Sequence, residues 1–188
     1  MSQAKAKSKQ ESAAAQQSVQ QSDAEVGMLP WLWLSVGVII SDYITKLITI
    51  NTMTLHERIE ILPFFNLTRA HNTGAAFSFL AGAGGWQRWL FAVISTGVSI
   101  ALILWLKKLP KSDRWMACCL ALIIGGALGN LYDRLVYGYV VDFLDFHGKV
   151  FEMVLGYSHF PAFNIADIAI SVGAFMMAVD VIRNPGKS

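Results

Sequence analysis

Four short stretches of this sequence carry most of its chemistry. Three aspartates and an arginine follow an apolar run in GNLYDRLVYGYVVDFLDF, Gly129 to Phe146, and FNIAD opens another apolar run with Asn164 three residues before Asp167. Carboxylates near a bilayer are costly, so each one needs a reason. Asp142 and Asp167 stand at the edges of apolar runs that a four-span topology brings to the same side of a membrane. Two carboxylates ~4 Å apart repel by on the order of 4 kcal/mol at an effective dielectric near ~20, enough to hold a shared proton around neutrality. Such a pair suits general acid/base hydrolysis: one member takes a proton from water while the other gives one to a scissile carbonyl. A plainer reading stands beside it, with Asn164 as the N-cap of a helix and Asp167 as a first-turn acid near the positive helix end.

The other polar groups are more ambiguous. In SDYITKLI, Asp42 and Lys46 are four apart on one helix face; their opposite charges neutralise each other, which favours a scaffold role over an ion pathway. Asp133 and Arg134 read as an interfacial ion pair that secures a helix end, and Asp145 as a solvated acid at the start of a short interfacial helix. Asn72, followed by Thr73 and Gly74, reads equally as a turn residue or as an amide that hydrogen-bonds a peptide backbone. His56, His71, His147 and His159 lack the spacing of a zinc peptidase, and a water-activating carboxylate pair needs no metal or cofactor. Ser41 lies on the same helix as Lys46 but is not clearly placed for a Ser-Lys peptidase. Cys118 and Cys119 are adjacent within an apolar run and point in different directions, which leaves packing as their role. GGALG spaces Gly125 and Gly129 for close helix contact.

The elements that must position these groups can be read from composition. The chain has 188 residues, 54% of them hydrophobic, and a mean hydropathy of +0.46, too apolar for an ordinary soluble domain of this length. A spanning helix needs ~20 mostly apolar residues, and four segments approach that: Leu29 to Ile50, Arg88 to Leu106, Trp115 to Leu131 and Ile165 to Ile182. The stretch ERIEILPFFNLTRAHNTGAAFSFL mixes β-branched and aromatic residues with Pro63, Asn72 and Gly74, the pattern of short strands. The expected fold is an all-α integral membrane protein with four transmembrane helices, a small extracytoplasmic β-rich subdomain and an outward loop bearing a short interfacial helix. Lys107, Lys108, Lys111 and Arg114 in one short connection, with Lys5, Lys7 and Lys9 before the first span, place both termini in the cytoplasm by the positive-inside rule. The two longer connections then face outward. Residues 1–27, rich in Gln, Ser, Ala and Lys, read as a disordered cytoplasmic tail ahead of a four-helix membrane domain over residues 28–184. The formal net charge of +2 and basic residues confined to helix flanks argue against a nucleic-acid partner.

Taken in order across four spans, SDYITK, HNTGAAFS, GNLYDRLVYGYVVDF and FNIADIAI resemble the lipoprotein signal peptidase family, also called signal peptidase II, from about Trp31 to Ile182. The resemblance implies a bacterial inner-membrane aspartyl endopeptidase, with its site at the periplasmic face. Such an enzyme removes signal peptides from lipid-modified prolipoproteins, cutting before the diacylglyceryl cysteine. By motif, the catalytic pair falls on Asp142 and Asp167, and the supporting residues on Asp42, Lys46, Asn72, Asn130, Asp133, Arg134 and Asn164. The implied partners are lipidated prolipoproteins and membrane lipids. The segment between the aspartates, DFHGKVFEMVLGYSHFPAF, is longer than the family's usual spacing.

Overall fold

The computed structural model describes residues 27–74 and 84–184. The expected tail, apart from Gly27, and the part of HNTGAAFS from Ala75 onward lie outside the described residues. A single 3-10 turn at Leu29–Trp31 leads into α1, Leu32–Thr52; α2 spans Gln87–Lys108, α3 Arg114–Val136, α4 Lys149–Leu155 and α5 Ile165–Arg183. Pro30 lies in the 3-10 turn, where its missing N–H costs nothing. Asp113 caps α3 by accepting a hydrogen bond from the Met116 amide, and Lys107 and Lys108 close α2 at its negative end.

Among the described residues, four helices are long and apolar enough to cross a membrane. Their exposed faces are those of a protein solvated by lipid: Val93, Phe175 and Ile182 are each at least 70% exposed, a pattern that would be an aggregation hazard in water. This is a multi-pass membrane protein. The third helix runs to Val136, five residues past the edge expected from hydropathy, so Asp133 and Arg134 belong to its last turns.

Helix α3 is the axis, packed against α1, α2 and α5. Small side chains allow this. A Cβ on Gly126 would collide with the carbonyl oxygen of Ala166 at the start of α5, and one on Gly129 would sit 2.9 Å from the Asp42 carboxylate of α1. At one end of the bundle, Met28, Leu106, Leu109, Met116 and Leu120 close an apolar core. There the amides of Gly27 and Met28 bond the carbonyls of Leu109 and Leu106, fastening the entry of the first helix to the exit of the second.

The opposite end carries the sheet. Strands β1 (Arg58–Leu62), β2 (Phe65–Asn72) and β3 (Val140–Phe146) form an antiparallel sheet in the order β1-β2-β3. The strand reading of the first long connection is therefore met, and VVDFLDF supplies the third strand. Gly138, at φ +84°, makes the turn from α3 into β3. Beyond β3 the chain makes an excursion through α4 and returns along β3, with the Phe160 amide bonding the Phe146 carbonyl and the Phe163 amide bonding that of Leu144. Arg69 ties the sheet to the bundle by donating to the carbonyls of Ile50 and Met53, which end α1.

Candidate active site

Asp142 and Asp167 reach one cavity by different routes. Asp142 stands mid-strand on β3, opposite Ala70, because the β-branched Val140-Val141 pair ends the helical path and starts an extended one. Asp167 lies in the first turn of α5, inside a capping box: the Asn164 side chain accepts from the Asp167 amide at 2.9 Å, and the Asp167 carboxylate accepts from the Asn164 amide at 3.3 Å. The cap expected from the N-x-x-D spacing is present, and the same spacing turns Asp167 toward Asp142.

Each carboxylate is held by amides. Asn164 Nδ2 donates to Asp142 Oδ1 at 2.7 Å, Asn72 Nδ2 donates to Asp142 Oδ2 at 3.1 Å, and Asn130 Nδ2 donates to Asp167 Oδ1 at 2.8 Å. Asn72 combines two roles: its Oδ1 accepts from the Gly74 amide in a tight turn, while its amide nitrogen faces Asp142. Burial, followed by the negative charge of Asp167, pushes Asp142 up to about 7 against the opposing hydrogen bonds from Asn72 and Asn164. The cavity has a volume of about 930 Å³. Its polar end holds both aspartates with Asn72, Asn130 and Arg134, and its apolar part runs between α2, α3 and α5 past Ile94, Val98, Ile123 and Val172.

Beneath the pair lies a buried charge network. Lys46 Nζ is 2.7 Å from Asp42, 2.9 Å from Asp133 and 3.1 Å from the Asn130 side-chain oxygen, and all four residues are buried. Asp42 also accepts from the Ala166 amide at the start of α5, and Asp133 from the Val141 amide of β3. Asn130 therefore links the network to the cavity: its oxygen receives Lys46 and its nitrogen serves Asp167. Arg134 donates to the carbonyls of Asn130 and Gly74 and lies over the Phe91 ring.

Two expectations fail here. Asp133 finds its cation in Lys46 rather than at a helix-end interface, because α3 continues beyond it and turns it inward. Asp145 is neither solvated nor helical. It is 3% exposed, lies in β3, and contacts Asn66 Nδ2 at 3.0 Å and His159 Nδ1 at 2.9 Å; the short helix begins only at Lys149. Residues missed from sequence are Asn66, Arg69 and His159. The available signal was strand pairing, since Asn66 faces Asp145 across β2 and β3. Among the described residues no group of three His, Cys, Asp or Glu is arranged to hold a metal ion.

Four helices able to span a membrane, around a cavity whose polar end is capped by a small sheet, describe a multi-pass membrane protein, and comparison with known proteins narrows the class to an enzyme. Residues 34–183 match the family model described as Signal peptidase (SPase) II. The chain is 51% identical to the lipoprotein signal peptidase of Pseudomonas putida over 159 residues, covering 84% of this chain and 90% of that protein. It is also 51% identical to that of Alteromonas mediterranea, over 85% of this chain and 84% of the relative. A solved bacterial membrane enzyme, determined by the in meso method at 2.3 Å, superposes with a TM-score of 0.72 at 32% identity, covering 85% of this chain and 91% of its own. The chain belongs to the signal peptidase II family, peptidases that remove signal peptides from prolipoproteins.

Proposed function

We propose that this protein cleaves lipidated prolipoproteins by aspartic catalysis, with Asp142 and Asp167 as the catalytic pair. The observation that carries the reading is the pair itself: two carboxylates from different elements, Asp142 buried and Asp167 half-buried, each anchored by asparagine amides, at the polar end of one cavity. With Asp142 pushed up to about 7, the pair holds one proton between its members near neutrality. In the resting state Asp142 carries that proton and Asp167 the charge, beside the backbone amides that open α5. Asp167 takes a proton from water as the water attacks the scissile carbonyl, and Asp142 donates its proton to the carbonyl oxygen. The tetrahedral intermediate then collapses: Asp142 takes back a hydroxyl proton as the carbonyl re-forms, the C–N bond breaks, and Asp167 gives its proton to the departing amine, which restores the resting state. Asn72, Asn130 and Asn164 keep both carboxylates in place, and the network of Asp42, Lys46 and Asp133 keeps Asn130 in place. No cofactor enters the scheme.

The apolar part of the cavity, between α2, α3 and α5, suits a signal helix arriving from within the bilayer, while acyl chains stay in lipid. A lipid anchor adds ~0.8 kcal/mol per buried CH₂ and fixes the depth of the neighbouring peptide bond. The basic connection between α2 and α3 supports, by the positive-inside rule, an orientation with both termini in the cytoplasm and the sheet end at the outer face of a bacterial inner membrane. The deciding experiment is cleavage of a lipidated precursor by purified protein in detergent without an ion gradient. Wild type is expected to shorten it, Asp142→Asn and Asp167→Asn to leave it intact while remaining folded, and an unlipidated precursor to be cut orders of magnitude more slowly. Cleavage by either variant near the wild-type rate defeats the assignment.

A further inference from the structure

Asp145 has no part in the proposed hydrolysis, yet it is a buried carboxylate in the strand that carries Asp142. An ionised carboxylate out of water is tolerated only where partners compensate for its desolvation. Its partners come from both sides of β3. On one side, Asn66 of β2 donates to Oδ2 at 3.0 Å. On the other, His159 of the returning segment presents Nδ1 to both oxygens, at 2.9 and 3.0 Å. Arg58 Nε, on a largely exposed side chain, lies 3.8 Å away, and the His147 ring is 5.1 Å from that of His159. One side chain thus joins three neighbouring stretches of chain.

The returning segment shares that join with its backbone bonds to β3. It runs from His159 to Phe163 along β3, touching it by backbone pairing at His147 with His159 and at Leu144 with Phe163. Pro161 has no amide hydrogen to contribute between them. Backbone hydrogen bonds hold the segment at Gly148 with Ser158, Phe160 with Phe146 and Phe163 with Phe143 and Leu144, and the Asp145–His159 contact adds a side-chain tie that fixes the same register. The residues that depend on this register belong to the site: Phe160 to Phe163 line the cavity, and the next residue, Asn164, both holds Asp142 and caps the helix that carries Asp167.

We propose that Asp145 and His159 are positioning residues for peptide hydrolysis, locking the returning segment onto β3 so that Asn164 meets Asp142 and α5 begins at the correct depth. The proposal rests on the assignment of Asp142 and Asp167 as the catalytic pair. The imidazole acts as a hydrogen-bond donor to a fixed carboxylate, and neither residue touches the reacting atoms. Breaking the contact lets the segment shift by a fraction of a residue step, and a misplacement of ~1 Å at an active site costs roughly a hundredfold in rate.

The test uses full-length protein in detergent, a lipidated precursor, and separate determination of kcat and KM. His159→Leu and Asp145→Asn are each expected to lower kcat by roughly ten- to a hundredfold with KM within about threefold, because the apolar part that suits the signal helix is built from α2, α3 and α5 past Ile94, Val98, Ile123 and Val172 and not from the returning segment. His159→Asn places an amide donor where Nδ1 sits and is expected to recover most of the kcat lost in His159→Leu. The double variant His159→Leu/Asp145→Asn should be no slower than the worse single one, since both break the same contact. If Asp145→Asn does not survive purification, His159→Leu, on the more exposed partner, carries the same expectation. Wild-type kcat in His159→Leu, a loss confined to KM, or no recovery in His159→Asn overturns the proposal. Wild type that fails to cut the lipidated precursor, or an active Asp142→Asn, instead overturns the catalytic assignment on which it rests.

Discussion

Replacing Lys46 with methionine isolates the contribution of the network under the site. Methionine keeps the length and apolar stem of lysine but removes the cation that Asp42 and Asp133 share. Both carboxylates touch one nitrogen, at 2.7 and 2.9 Å, so their nearest oxygens lie within about 6 Å of each other and repel by roughly 3 kcal/mol at an effective dielectric of about 20. Each retains one backbone donor, Ala166 for Asp42 and Val141 for Asp133, which offsets part of the loss. Removing one partner from a buried ionic cluster typically costs about 3 to 5 kcal/mol, or roughly 6 to 20 °C in Tm for a chain of this size. The assay is thermal unfolding in detergent, with precursor cleavage measured on the same samples. Lys46→Met should unfold well below wild type and lose activity, because Asn130 loses the contact that aims its amide at Asp167. Lys46→Met/Asp133→Asn, which removes the repulsion, should regain at least half of the lost Tm. A Tm for Lys46→Met within about 2 °C of wild type, or a double variant no better than the single, would refute the reasoning.

The proton held by Asp142 gives a pH signature. Its carboxyl is pushed from 3.8 up to about 7 in the folded protein, so the folded state keeps a proton that the unfolded chain releases near pH 4. The associated stability is fully present below pH ~4 and lost as pH rises to about 7. Wild type should therefore lose a few kcal/mol relative to Asp142→Asn across that window, at ~1.36 kcal/mol per pH unit, and kcat should decline on the alkaline side from near pH 7; parallel stability profiles for the two proteins would contradict this. Gly126→Ala forces a methyl group against the Ala166 carbonyl and should cost roughly 1 to 3 kcal/mol by overpacking, with reduced cleavage because α5 carries Asp167; an unchanged Tm would show that α3 and α5 separate freely. A cysteine label at Ser112 should be protected from an impermeant reagent in intact cells and one at Gly148 should react, and the reverse pattern overturns the orientation.

Helices are legible in the sequence because lipid imposes length and hydropathy on each of them independently. Strands β1 and β2 are legible from β-branched and aromatic alternation, and the cap of α5 from the three-residue spacing of Asn164 and Asp167. Contacts that depend on tertiary approach are not. Asp133 reads like any acid at a helix end until α1 brings Lys46 beside it, and Asp145 reads as solvated until the returning segment brings His159 over it. Hydropathy understates the extent of α3 because it falls at Asn130 while the helix continues, its polar residues turned toward α1, β3 and α5 instead of water. Asn72 reads as a turn residue or as an amide for a peptide backbone; the turn is present, and the amide nitrogen bonds the Asp142 carboxylate, a pairing that the sequence does not reveal because it depends on β2 meeting β3.

The pairing of Asp42 with Lys46 four residues later has a consequence for biosynthesis. The first helix emerges from the ribosome long before α3 exists, so its charges must enter the membrane without Asp133 or Asn130 to receive them. A lone charge at the centre of an inserting helix costs roughly 2.5 to 3.5 kcal/mol. A counter-ion one turn away, at 2.7 Å in the finished protein, travels with the lysine and shields it during the wait. Exchanging Lys46 with Leu47 would set the two charges five residues apart, off a shared helix face, and the fraction of chains whose isolated first helix integrates into microsomal or inverted membranes should fall even though its composition is unchanged.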